Sequence, residues 1–181
     1  YFLVGSRACT NCNNYVASIT KSDFLSDNID AWNFKWNASE DDVWNASTAD
    51  LNFTVEKNDL NVTYFFGNAT TLWRNGTESV VLSTRVFDVD RQVYLGTGEA
   101  SAKRWVTNDT GNFDAGSSVP IAGAGYLNSS FDPACTPVKY SVGRQLWRMG
   151  TQGNAGFKDV NSTNLELTIQ ANFSVNVSSP N

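Results

Sequence analysis

The residues of this chain that could carry chemistry are mostly asparagines. Eleven Asn-X-Ser/Thr triplets begin at Asn37, Asn45, Asn52, Asn61, Asn68, Asn75, Asn108, Asn128, Asn161, Asn172 and Asn176. Each offers a side-chain amide as acceptor of an N-linked glycan in a chain that passes through a glycosylating export route. The composition, with its 21 Asn, would yield about 4 such triplets by chance. The excess reads as selection for a sugar coat.

Other reactive groups are sparse. The chain has no His. That removes Ser-His-Asp and Cys-His nucleophiles, imidazole metal sites and the usual base near neutral pH. No Walker, dinucleotide or Gly-X-Ser-X-Gly pattern occurs. Two carboxylate groups remain, Glu40-Asp41-Asp42 and the pair Asp88 and Asp90. Paired carboxylates can hydrolyse glycosides or hold calcium. Here they read as a solvated acidic turn and a strand-end pair, so no catalytic or metal residue is assigned. Three cysteines, Cys9, Cys12 and Cys135, suggest one structural disulfide and one thiol left over. Six tryptophans read mainly as core, with sugar stacking as the alternative use.

These asparagines must be held in water, and the hydrophobic pattern shows how. The run Leu165 to Val177 alternates without a break: Leu165, Leu167, Ile169, Ala171, Phe173, Val175 and Val177 are apolar, and the residues between them are polar. Alternation of period two marks a strand with one dry and one wet face. Asn172 and Asn176 fall on the wet face. The same holds for Asn37 after Trp32, Phe34 and Trp36, for Asn52 between Leu51, Phe53 and Val55, and for Asn61 among Leu60, Val62, Tyr64 and Phe66. Ser79 to Asp90 carries two apolar sets, Val80, Leu82, Val86 and Val81, Phe87, Val89, which predicts a strand near a sheet centre. Val138, Tyr140 and Val142 predict a further strand, and Val119 to Tyr126, with its Gly and Pro, an edge or loop. No helical periodicity persists beyond a turn or two.

The expectation is an all-β fold: a single antiparallel β-sandwich over residues 15–181, jelly-roll or Ig-like, with an extended N-terminal arm over 1–14 and a long C-terminal strand. The net charge of −5 and 17% charged residues exclude a basic nucleic-acid stripe. No stretch is long and apolar enough to span a membrane. A start at Tyr1 suggests a mature form whose signal has been removed.

The function expected is that of an exported, non-enzymatic, heavily N-glycosylated structural protein of the cell surface or extracellular space. It needs no cofactor beyond its covalent glycans. Its partners would be copies of itself, joined into a filament or sheath by β-strand addition, with Tyr1, Phe2, Leu3 and Val4 as a candidate donor arm. The alternative is a secreted monomeric module that binds carbohydrate or a host protein through exposed Trp residues.

Overall fold

A computed structural model describes residues 30–40, 44–109 and 111–172. The chain is all-β there, with no α-helix among the described residues. Contacts divide it into two compact units, one ending at Lys57 and one beginning at Asn58. The arm 1–14 lies outside the described residues.

The described part of the first unit is two strand pairs. Strand β1 (Ala31–Phe34) pairs with β4 (Leu51–Thr54), and β2 (Asn37–Glu40) with β3 (Trp44–Ser47). Cross-strand partners Trp32 and Phe53 are half-buried, as is Phe34, whose ring meets Phe53 edge-on at 5.7 Å. The alternation is thus real, but no side chain described in this unit is fully buried. Leu51 and Trp36, expected on the dry face, are exposed.

The second unit holds two larger sheets. One contains β5 (Leu60–Phe66), β7 (Val80–Asp88), β8 (Val93–Tyr94), β11 (Ile121–Ala122) and β12 (Tyr126–Phe131), in the order β11-β12-β7-β5 with β8 also on β7. The other contains β6 (Thr70–Trp73), β9 (Ala102–Val106), β10 (Ser117–Val119), β13 (Gly143–Thr151), β14 (Val160–Asn161) and β15 (Leu165–Gln170). Its order is β10-β9-β13-β15-β6, with β14 on β13. Inward residues of both sheets form one buried cluster. Leu82, Val86, Leu127 and Phe131 come from the first sheet, and Leu72, Val106, Trp147, Met149, Leu167 and Ile169 from the second.

Several elements differ from the expected pattern. Among the described residues the named strands pair antiparallel except for β15 with β6, which is parallel, and an isolated bridge between Asn58 and Phe157 is parallel as well. The strand beginning at Leu165 ends at Gln170 rather than Val177, and residues 173–181 lie outside the described part. Within it, Leu165, Leu167 and Ile169 are buried as the alternation demands. Strand β7 is central, as expected, yet its second face is only partly covered: Ser83 is buried, Arg85 and Phe87 are half-buried and Val81 is exposed. No strand forms at Val138–Val142. Tyr140 is buried but Val138 and Val142 are exposed. The strand that follows is β13, nine residues long over Gly143–Thr151. It carries Trp147, the one fully buried tryptophan among those described.

Strand β5 departs from its pattern for a local reason. Leu60 and Val62 are buried, but the register against β7 shifts between Tyr64 and Phe66. The extra residue is a β-bulge. Tyr64, Phe65 and Phe66 all end up exposed: the shift moves Phe66 off the dry face to stand opposite Ser83, while Tyr64 keeps its place opposite buried Thr84 but is open at the sheet edge.

Candidate functional site

The sequon asparagines are the candidate sites, and the sheets set their positions. Nine have described side chains. Eight are exposed: Asn37, Asn52, Asn61, Asn68, Asn75, Asn128, Asn161 and Asn172. Asn108 is half-buried, with its Oδ1 enclosed and unpartnered. The side chain of Asn45 and the whole of Asn176 lie outside the described residues.

Strand geometry explains most of this. Asn61 sits between buried Leu60 and Val62, so the pleat turns it outward. Asn128 follows buried Leu127 in the same way, and its Oδ1 accepts a hydrogen bond from the Ser83 hydroxyl at 2.6 Å. Turns place the others. Asn68 Oδ1 accepts the Glu166 amide at 2.8 Å. At Asn75 the side chain closes its own turn. Its Oδ1 accepts the Thr77 amide at 3.0 Å, the Thr77 hydroxyl at 3.1 Å and the Glu78 amide at 3.1 Å.

Asn75 and Asn172 share a solvent-open hollow of about 400 Å³ with Trp73, Arg74, Glu78 and Cys135. The Cys135 thiol is exposed and free, and it donates to the carbonyl of Arg74. Its suggested disulfide partners, Cys9 and Cys12, lie outside the described residues.

Of the carboxylates singled out from the sequence, Asp88 and Asp90 are committed to structure. Asp88 is fully buried at the end of β7. Its Oδ2 accepts from Asn58 Nδ2 at 2.7 Å and Arg91 Nε at 2.6 Å, and its Oδ1 from the Arg91 amide at 2.9 Å. Arg91 then grips Glu99 with both terminal nitrogens at 3.1 Å. Burial pushes the Asp88 carboxyl up, but the bonds from the Arg91 amide, Asn58 and the Arg91 side chain outweigh it and hold the group below its ordinary value. Asp90 does not join this centre. It lies past the strand end and accepts the Asp59 amide at 2.8 Å. Glu40 has no described side chain, and Asp41 and Asp42 lie outside the described residues.

Two further buried polar centres went unnoticed in the sequence. Asp114 accepts from the Val106 and Gly116 amides, from Lys139 Nζ at 3.1 Å and from Tyr140 Oη at 2.8 Å. Desolvation raises its carboxyl, and these donors bring it below the usual range. Arg104 reaches from β9 across to β12, donating to Ser129 Oγ and Ser130 O, both at 2.8 Å. Desolvation lowers its pKa. The signal for both was weak. An Asp in a Gly-rich loop and an Arg inside a short apolar run resemble ordinary surface residues.

The tryptophans, read mainly as core, divide between interior and surface. Of those described, Trp32 and Trp105 are half-buried, Trp147 is buried, and Trp36 and Trp73 are exposed. The larger aromatic surface lies elsewhere, on the outer face of the β5-β7-β12 sheet. There Phe65 meets Tyr126 at 4.8 Å and Phe87 meets Tyr94 at 5.2 Å, both edge-on. The Arg85 guanidinium lies 3.5 Å from the Tyr94 ring centre and 4.6 Å from that of Tyr126.

No protein-family model matches the chain, and no curated protein matches it. Among the described residues no helix is long and apolar enough to cross a membrane.

Proposed function

We propose that this chain is an exported, non-enzymatic, heavily N-glycosylated structural protein of the cell surface or extracellular space. It works as a subunit that assembles with its own copies by β-strand addition. In this reading the two sheets of the second unit form one sandwich of jelly-roll or Ig-like character, and the covalent glycans are its only added groups.

The observation that carries the reading is the exposure of eight sequon asparagines, drawn from turns, edge strands and interior strands alike. A glycan needs solvent around its attachment point, and a chain with few charges gains solubility from such a coat. Strand addition is supported by β5. It ends its sheet, with a strand partner at β7 alone among the described residues, and it leaves Tyr64, Phe65 and Phe66 exposed. The regular stretch ahead of the bulge, from Leu60 to Tyr64, is the part of that edge an added strand would pair with.

Electron microscopy of native material is the test. Regular filaments or sheets that vanish on deletion of Tyr1–Val4 support assembly through that arm. Dispersed single particles over a wide concentration range contradict assembly. They would favour a secreted monomeric binding module, a second reading that Trp73 favours, exposed beside the 400 Å³ hollow.

A further inference from the structure

We infer that the aromatic strip on the outer face of the β5-β7-β12 sheet is the seat of the protein's own glycans, with the first sugars on Asn61 and Asn128 lying on it. This rests on the glycoprotein reading above and names a surface and an occupant that the reading does not.

The argument begins with register. Residues directly opposite in an antiparallel pair place their side chains on the same face, with Cβ atoms about 4.5–5.5 Å apart. Asn61 on β5 stands opposite Phe87 on β7, and Phe87 stands opposite Tyr94 on β8. These three therefore form one outward row. The next row is Thr63, Arg85 and Tyr126, and Thr63 is the hydroxyl residue of the Asn61 sequon. Asn128 lies two residues beyond Tyr126 on β12, hence on the same face, opposite Ser83.

Between the two asparagines runs a continuous strip: Phe87, Tyr94, Arg85, Tyr126, Phe65. Consecutive members are in ring-to-ring or cation-to-ring contact. Phe65 and Tyr94 remain 53% and 43% exposed, which is a cost for two large rings unless something covers them. A pyranose ring suits that surface. Its axial C–H groups lie on an aromatic face, and its hydroxyls stay in water or accept from a guanidinium. The Ser83 hydroxyl holds Asn128 Oδ1 toward β7, which leaves Nδ2 as the free end of that amide for the sugar. A second protein is a poorer occupant, because two glycans rooted in the patch would obstruct it.

The test uses the full chain made in a glycosylating host, trimmed by endoglycosidase to one N-acetylglucosamine per occupied asparagine. Phe87→Val and Asn61→Gln are combined in a double-mutant cycle, and sugar protons are read by NMR. The expected result is an upfield ring-current shift of the Asn61 sugar protons. A rise of about threefold to tenfold in the folding equilibrium constant, present with Phe87 and lost with Val, should accompany it. Unshifted sugar protons on an occupied Asn61, with equal stabilisation on both backgrounds, would overturn the inference while the glycoprotein reading stood. An unmodified Asn61 in native material would overturn the inference directly, and bare sequons throughout would remove the glycoprotein reading with it. Should Phe87→Val fail to fold, the proton shifts of the wild-type protein decide alone.

Discussion

At the residue scale the chain separates its polar groups into two populations. Eight of the nine described sequon asparagines are exposed, whereas Asp88, Asp114 and Arg104 are spent on holding loops and sheets together. Asp88 ties Asn58 to Arg91. Asp88→Asn would leave Arg91 facing a neutral amide and is expected to cost about 3 kcal/mol in denaturant unfolding. Because the folded carboxyl titrates below its ordinary value, its contribution is complete above the unfolded-state pKa and is lost as pH falls through the folded one. The wild type should therefore lose stability on the acid side of the usual carboxylate range, and Asp88→Asn should flatten that limb. None of this was legible beforehand. Asp88 and Asp90 look alike in sequence, and only the strand end at Asp88 sends one into the core and the other into a turn. The asparagines were legible, because alternation alone turns Asn52 and Asn61 outward.

At the element scale, short-range pattern was a good guide where strands are regular and a poor one where they bend. Leu165, Leu167 and Ile169 bury as read, and the centre of β7 is where its two apolar sets placed it. Three aromatics in succession, Tyr64-Phe65-Phe66, were the signal of a bulge, but an apolar residue at each second position hid it. Long-range pairing left no trace in the local pattern either. The parallel contact of β15 with β6 joins segments almost a hundred residues apart. A close approach between elements gives a sharp prediction. A Cβ at Gly150 on β13 would stand 2.0 Å from the Val160 carbonyl oxygen of β14 and 2.4 Å from Asn161 Oδ1. Gly150→Ala should detach β14 and destabilise the second unit by about 3 kcal/mol. Faster hydrogen exchange of the Ser162 amide, which bonds the Met149 carbonyl at 2.8 Å, should accompany the loss. Unchanged exchange there would contradict the role given to that contact.

At the scale of the whole molecule, the all-β class followed from alternation and the lack of helical periodicity, but the division after Lys57 did not. No linker composition marks it, and the alternating aromatics of the first unit read like those of the second. The difference is depth. The second unit encloses side chains from two sheets, while the described strands of the first bury none fully. The proposed sugar coat would tie the account together: it would explain the exposed asparagines, the low charge and the open aromatic strip beside Asn61 and Asn128. The most direct measurement is therefore site-by-site glycopeptide mass spectrometry on protein taken from its native source. The account predicts glycan on most of the exposed sequons, Asn52, Asn61 and Asn128 among them. A chain with the mass of bare polypeptide and every sequon unmodified would contradict it.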